Sequence, residues 1–283
     1  MAAVTDIGVD GLGDYGLSML AEANIDGTLN YEGPVFLGQP ARFKDCSMGA
    51  FAFINSRGTT SAYRCHFGRF AQIGEHVIVG PPEHPQDWFS NHPLAFTQPE
   101  FMPHLYRMPE FARLLPDDNR LSRRYIADVP TETFVGHEVY VGAKSFVRRG
   151  VTIGHGAVIG AASVVLDDVP PYAIVVGSPA RVMRLRYDEA IVERLLALQW
   201  WHYDLAPHKH EVDFSQVEAT LDYFEQRKAD GQLEPLYPRT YNARCRNGRY
   251  SIEQRDEPLY SLQDNPDYPA IGGPMPPRVQ SAG

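Results

Sequence analysis

From Val135 to Val165 an aliphatic residue returns at every sixth position: Val135, Val141, Val147, Ile153, Ile159 and Val165. Four of these are followed by glycine, at Gly136, Gly142, Gly154 and Gly160. Four residues beyond each stands a small or β-branched residue: Val139, Ser145, Val151, Ala157, Ser163 and Val169. A helical stripe recurs at 3.6 residues and a simple strand alternates at two, so a period of six fits neither. It fits a chain that turns a corner every six residues and sends one aliphatic side chain inward per turn. That is the hexapeptide pattern of a parallel β-helix, and an all-β solenoid is the expected fold.

The same rhythm appears earlier. Ile25, Tyr31, Leu37 and Phe43 are six apart, as are Phe67, Ile73 and Val79, and the two runs share one phase. The register positions between them, Gly49, Asn55 and Ser61, break the aliphatic rule. That lapse reads either as a locally irregular coil or as a recess beside a site. Fifty-six residues separate Val79 from Val135, which is no multiple of six, so the chain leaves the coil there and returns.

The sequence divides accordingly. Residues 1–24 form a polar lead-in with a short helix expected around 17–23; residues 25–186 form the solenoid, interrupted by an inserted loop at 97–133. A solenoid needs its open end covered. The hydrophobic strand Ile174, Val175, Val176 leads to an expected cap helix near 188–201, with Asp188 as N-cap and Ile191, Leu195 and Leu198 as its stripe. A second helix is expected over 216–230. Ser215 and Glu218 would form its capping box, Phe214, Val217, Leu221 and Phe224 its apolar face, and Gly231 its stop. The rest of 187–283 reads as an aperiodic tail whose last twenty residues lie along the surface or are disordered.

A formal charge of −9 argues against nucleic acid as a main partner. No apolar run reaches the roughly 18 residues of a membrane span, and the start lacks the basic and apolar regions of a signal peptide. Three cysteines without metal-like spacing (Cys46, Cys65, Cys245) read as reduced thiols, and a cytoplasmic location is expected.

Chemistry-bearing residues gather where the coil is first left, over 80–93: Glu83, His84, Asp87, Trp88 and His92 among prolines. Histidine is the side chain suited to take a proton near neutral pH. The same residues would also suit a proline-stiffened surface loop whose histidines cap backbone.

That stretch, followed by the later hexapeptide array, resembles the hexapeptide acyltransferases, most nearly the xenobiotic acetyltransferases and bacterial sugar O-acetyltransferases. The resemblance covers roughly 60–96 and 134–201. Its most diagnostic part is the run from Asp168 to Ala173, then Gly177, Ser178, Pro179, Ala180, Arg181 and Val182. It implies a left-handed parallel β-helix with a C-terminal α-helical cap. It further implies a homotrimer with sites between subunits, and transfer of an acetyl group from acetyl-CoA to a hydroxyl or amine of a sugar, nucleotide sugar or antibiotic. By the resemblance His84 is the general base, with His92 its runner-up, and the Ala143 N–H is the oxyanion donor. One of Asp87, Glu83 or Glu138 would orient the imidazole, and Asp87, Trp88 and His92 would meet the acceptor. Tyr140, Ala143, Ala161, Ala162, Arg181 and Arg184 would hold acetyl-CoA, without a metal.

The chain departs from the family at Leu166 and Asp167, where relatives carry Thr-Lys with the lysine near the CoA phosphates. A carboxylate there repels phosphate, so Lys144, Arg148 or Arg149 compensates, or CoA binds weakly, or the donor differs. The inserted loop supplies Arg107, Arg113, Arg120, Arg123 and Arg124, either a clamp for an anionic acceptor or a solvated face. Its Phe101, Tyr106, Phe111 and Tyr125 suit stacking on a sugar or anchoring to a neighbouring subunit. No serine or cysteine is expected beside a base, which predicts direct transfer without a covalent intermediate. Two alternatives remain open: a γ-carbonic-anhydrase-like zinc lyase using histidines among His66, His76, His84, His92 and His155, and a non-catalytic scaffold.

Overall fold

A computed structural model describes residues 4–20, 24–38, 41–55, 59–97, 102–115, 118–128 and 132–260. The chain divides into two compact units, Met1–Gly80 with Glu132–Gly283, and Pro81–Thr131.

In the first unit the hexapeptides become short parallel strands. Val135 pairs with Ile153, Val141 with Ile159 and Val147 with Val165, each partner eighteen residues on. Three hexapeptides therefore make one turn of chain, and like stacks on like. All six register residues are buried, and so are Val139, Ser145, Val151, Ala157, Ser163 and Val169. Each buried aliphatic contributes about 1.5–3 kcal/mol over its exposed state.

The corners explain the rest of the repeat. Glu138, Lys144, Gly150, Gly156 and Ala162 all have positive φ, six residues apart. For the non-glycine residues this left-handed geometry costs about 1 kcal/mol or more. Hydrogen bonds to the adjacent turn offset that cost: Glu138 N–H to Arg69 O at 2.9 Å, Lys144 N–H to Glu75 O at 2.7 Å and Ala162 N–H to Ala143 O at 2.8 Å. The glycine after each aliphatic residue answers to close stacking. A Cβ at Gly142 would sit 2.5 Å from Ala161 N, and one at Gly154 would sit 2.4 Å from Pro171 N.

Phe67, Ile73 and Val79 pair with Val135, Val141 and Val147, each sixty-eight residues on. That is fifty more than the ordinary turn, so fifty residues enter and the lattice resumes in phase.

The apparent lapse at Gly49, Asn55 and Ser61 is a slip of register. Met48 pairs with both Tyr31 and Phe67, Ile54 with Leu37 and Ile73, and Ala62 with Phe43 and Val79. All three are fully buried. The inward positions therefore stay apolar while their spacing shifts by one. Gly49 is the corner glycine after Met48, since a Cβ there would meet Arg69 N at 2.5 Å.

Other expectations change at the two ends of the chain. The helix expected over 17–23 is instead a strand, Leu17–Met19, parallel to Val35–Leu37; residues 21–23 lie outside the described residues. A 3-10 helix, Val9–Tyr15, precedes it. The tail read as aperiodic holds a hairpin of Thr240–Arg246 and Arg249–Arg255, which pairs antiparallel with Asn24–Glu32 and Val4–Ile7. Tyr250 and Ile252 bury alternate positions of the second strand, whereas Thr240, Tyr241, Asn242 and Ala243 are buried in succession on the first. The last twenty residues, expected along the surface or disordered, lie outside the described ones.

The cap is two helices. Asp188 accepts the Ile191 N–H at 2.9 Å and starts one at Glu189–Leu198, whose buried stripe is Val192, Leu195 and Leu198. Ile191 is only partly buried against the same cluster. Leu221 and Phe224 of the second helix, Val217–Ala229, pack against that stripe and Tyr172. The expected Ser215–Glu218 box does not form: Gln216 is the N-cap without a side-chain bond, and Asp213 Oδ1 takes the Ser215 N–H at 2.9 Å. Phe214 is 56 % exposed, not packed on the helix face. Gly231, at φ +67°, follows the helix end as expected.

The second unit contains 3-10 turns at Pro93–Ala95, Pro103–Tyr106 and Ala112–Leu114 and a helix at Arg120–Asp128. Among the described residues no helix is long and apolar enough to cross a membrane.

Candidate functional site

Within the second unit the loop after Gly80 fixes two histidines in opposite tautomers. His84 Nδ1 lies 2.7 Å from the Asn91 carbonyl oxygen. A carbonyl only accepts, so Nδ1 carries a hydrogen, and in the neutral ring Nε2 holds the lone pair. His92 is the reverse. Its Nδ1 accepts the Leu94 N–H at 3.2 Å and caps the turn Pro93–Ala95, so the neutral ring carries its hydrogen on Nε2. His84 is exposed and presents a basic nitrogen; His92 spends its own on backbone.

The ring of His84 meets Phe96 edge-on at 5.1 Å, and Phe96 packs on Tyr125 at 4.9 Å. The Tyr125 hydroxyl donates to the Glu83 carbonyl, which pins the loop on both sides of the histidine. The group that orients His84 is thus the Asn91 carbonyl rather than any of the three carboxylates considered. Asp87 is exposed, and Glu138 is committed to Arg186 by bonds of 2.9 and 3.1 Å.

Trp88 stands edge-on to Tyr125 at 6.2 Å, with the Arg124 guanidinium 5.9 Å from its ring centre. Trp88, Phe89, Ser90, Leu94, Leu121 and Arg124 line an open hollow of about 410 Å³. Arg107, Arg113, Arg120 and Arg123 are exposed, as is Phe111, whereas Tyr106 is buried and Phe101 lies outside the described residues.

In the first unit a groove of about 350 Å³ runs along one corner, lined by Phe53, Asn55, Gln72, Gly74, Tyr140 and Ala143. Tyr140 is 44 % exposed there. Among the described residues no backbone carbonyl takes the Ala143 N–H, and Gly74 must lack a side chain because a Cβ would lie 2.7 Å from that nitrogen. Ala161 and Ala162 are exposed at the stacked corner one turn on, joined to Ala143 through the Ala162 N–H. Arg181 and Arg184 lie on the strand Ala180–Leu185, exposed, with guanidinium groups bonded to Ala180 O at 2.8 Å and Leu185 O at 2.9 Å. They do not line the groove. Asp167, Lys144 and Arg148 are exposed, and Arg149 Nε donates to Gly80 O at 3.2 Å.

A serine does stand beside a base, contrary to expectation. Ser47 Oγ is 2.8 Å from His66 Nδ1, and His66 Nε2 is 2.9 Å from Glu132. Adjacent parallel strands bring Ser47 and His66 together, a pairing across nineteen residues that the sixfold count could not show. Ser47 is only 5 % exposed, so burial rather than lack of a partner argues against it as a nucleophile.

The sequence also gave no sign of a buried ionic centre. Arg69, 1 % exposed, is held by Glu32 through bonds of 2.7 and 2.9 Å and donates to the carbonyls of Trp201 and Tyr260. Stacked beside it are His137, His155 and Trp201. Burial pushes His155 down to about 4 and His202 down to about 3, and lowers His137 well below the usual range. Cys46 and Cys65 are buried, and burial raises the Cys65 thiol. Among the described residues no three His, Cys, Asp or Glu side chains gather as a metal site.

No family model matches the chain. It is similar to a chloramphenicol acetyltransferase of Escherichia coli, 32 % identical over 150 residues, which are 52 % of this chain and 63 % of the relative. A probable macrolide acetyltransferase of Lysinibacillus sphaericus is 39 % identical over 72 residues, 25 % of this chain and 40 % of that one. The chain thus spans less than two thirds of these relatives. Among solved structures, the N-acyltransferase AntD of Bacillus cereus with dTDP and 3-hydroxybutyryl-CoA matches at 18 % identity over 67 % of this chain and 94 % of that one, with a TM-score of 0.36. That likeness is too slight to argue from.

Proposed function

We propose that the chain is an acetyl-CoA-dependent acetyltransferase on a left-handed parallel β-helix, acting on a hydroxyl or amine of an antibiotic-like or sugar acceptor. The observation that carries this reading is the tautomer of His84. Only its ring offers a free, exposed, oriented imidazole nitrogen in the loop shared with the resemblance. Similarity to the chloramphenicol acetyltransferases supports the acyl-transfer class.

Acetyl-CoA supplies the acyl thioester. His84 Nε2 takes the acceptor's proton as the acceptor oxygen or nitrogen attacks the thioester carbonyl. The Ala143 N–H donates to the carbonyl oxygen as it gains negative charge. When the carbon–sulfur bond breaks, the imidazolium returns its proton to the departing thiolate, which balances the transfer. Tyr140, Ala161 and Ala162 serve the pantetheine arm, where small residues permit close backbone approach. Arg181 and Arg184 are the cations for the adenosine end, and Lys144 and Arg148 offset Asp167. Asp87, Trp88 and Arg124 meet the acceptor. The working assembly is a homotrimer in the cytoplasm. The zinc reading gains no comparable support: His66 is occupied by Ser47 and Glu132, and His155 packs on Trp201 with its Nδ1 taking the His137 N–H.

The test is thiol release from acetyl-CoA with chloramphenicol as first acceptor, followed by an acceptor screen. His84→Ala lowers turnover by about 10²–10⁴ with acetyl-CoA binding unchanged, while His92→Ala stays within about threefold because its ring only caps a turn. Wild-type turnover in His84→Ala overturns the assignment of the base. Failure of the native chain to bind acetyl-CoA in a calorimetric titration overturns the donor.

A further inference from the structure

The carbonyl that orients His84 is fixed in turn by a hydroxyl. Asn91 O, which takes the Nδ1 hydrogen of His84 at 2.7 Å, belongs to the peptide between Asn91 and His92. The N–H of that same peptide donates to Ser90 Oγ at 3.1 Å. A trans peptide is planar, with its C=O and N–H on opposite edges. Holding the N–H on the Ser90 hydroxyl therefore fixes the direction of the carbonyl, which is towards the imidazole.

A second hydroxyl acts on the backbone of His84 itself. The peptide between Glu83 and His84 has its carbonyl held by the Tyr125 hydroxyl, 42 residues along the chain from Glu83. Tyr125 stands on the helix Arg120–Asp128, whose first N–H is taken by Asp118 Oδ1 at 2.7 Å. Its ring packs on Phe96, which is 7 % exposed and meets the His84 ring edge-on. The imidazole is thus constrained at its acceptor, at its own backbone and along its edge. A neutral imidazole in water moves its hydrogen between both nitrogens, and only the form with hydrogen on Nδ1 leaves Nε2 able to take a proton.

We propose that Ser90 and Tyr125 are positioning residues for His84, an inference that rests on the proposed role of His84 as general base. Each hydroxyl holds one peptide group, and together they keep the neutral ring in the Nδ1–H form with Nε2 free. The helix of the second unit thereby serves the chemistry through a residue that touches neither donor nor acceptor.

The test reads the tautomer directly, from proton–nitrogen-15 spectra of the histidine rings of the full chain at about pH 8, above the ordinary imidazole range. His84→Ala identifies the His84 signals. In the native chain they show a protonated Nδ1 and a bare Nε2. Tyr125→Phe keeps the ring against Phe96 and removes only the hydroxyl, and Ser90→Ala removes the other. In both variants His84 gains the Nε2–H form. For acetyl transfer kcat falls about tenfold, the worth of one hydrogen bond, while KM for acetyl-CoA stays unchanged. Ser90→Thr, which keeps a hydroxyl, retains the native spectrum and kcat. A ring that stays wholly Nδ1–H in both Tyr125→Phe and Ser90→Ala overturns the proposal. Equal disturbance by Ser90→Thr and Ser90→Ala overturns the role of the Ser90 hydroxyl. The spectrum needs neither acceptor nor acetyl-CoA, so a chain that transfers no acetyl group overturns the proposed function and leaves the tautomer to be decided by the spectrum.

Discussion

The turns of chain at 132–169 and those at 24–80 stack in the same parallel way but are held together differently. The later turns pair at eighteen residues as far as Val165, tightening to sixteen where Ile153 meets Val169, and fill their interior mainly with Val, Ile and Ala. The earlier ones pair at seventeen, eighteen or nineteen, mix Tyr31, Phe43, Met48 and Phe67 into the core, and carry the buried Glu32–Arg69 pair. Small equal side chains allow a strict repeat, because each meets its own kind one turn away. Large unequal ones need local adjustment, and the register gives by one residue where Met48, Ile54 and Ala62 come inward. The earlier turns are also the ones the tail closes: Tyr260 N–H donates to Glu32, Tyr260 O accepts from Arg69 at 2.9 Å, and its hydroxyl bonds Phe67 O at 2.8 Å.

The largest effect should come from breaking that ionic centre. Glu32→Gln leaves the Arg69 charge buried and unpaired and should cost about 3–5 kcal/mol. The measurement is urea unfolding of the full chain, set beside Ile153→Val in the later turns, which should cost about 0.5–1.5 kcal/mol. Equal losses would mean that the two regions depend on the same forces after all.

A pH titration of stability separates them next. Arg69 N–H bonds His137 Nδ1 at 2.9 Å, and His137 N–H bonds His155 Nδ1 at 3.0 Å, so both rings must stay neutral at those nitrogens. Burial lowers the folded-state value of His155 to about 4, from 6.5 when unfolded. Below 6.5 the unfolded chain takes up a proton that the folded chain refuses, so stability falls as pH drops and keeps falling until about 4. His155 alone should remove ~3 kcal/mol across that window, and His137 and His202 add in the same direction. His155→Asn, whose amide oxygen can still accept the His137 N–H, should flatten part of the slope. A native chain equally stable at pH 7 and pH 4.5 would show that these rings are not sealed from water.

The later turns were legible because the evidence for them is local and repeated: register residue, glycine, then a small residue four positions past the register residue. The hydrophobic-glycine pair was also the better guide in the earlier turns, where Met48 with Gly49 marks the inward residue that strict counting by six misses. The site was less legible. Sequence placed His84 and His92 in one loop and ranked His84 first by resemblance alone, since their tautomers depend on a carbonyl at Asn91 and an N–H at Leu94. The Arg69 centre draws on positions 32, 69, 137, 202 and 260, and no pattern within a window of residues could assemble it. In the hairpin at 240–255 only the second strand alternates at two, and its inward Tyr250 and Ile252 are too few among arginines and polar residues to show a period.

The smallest predicted effect tests what a sequence motif is worth without its geometry. Asp188 and Ser215 both stand where a helix cap belongs, and both precede an apolar run. Asp188 accepts the Ile191 N–H, whereas Ser215 makes no cap to the helix it precedes. Asp188→Ala should therefore cost about 1 kcal/mol, and Ser215→Ala no more than a few tenths. Asp213→Ala should exceed Ser215→Ala, because the Asp213 side chain turns the chain into that helix by taking the Ser215 N–H. Equal losses at Asp188 and Ser215 would mean that the capping motif acts in solution where the structure withholds it, and the two helix starts would have to be treated alike.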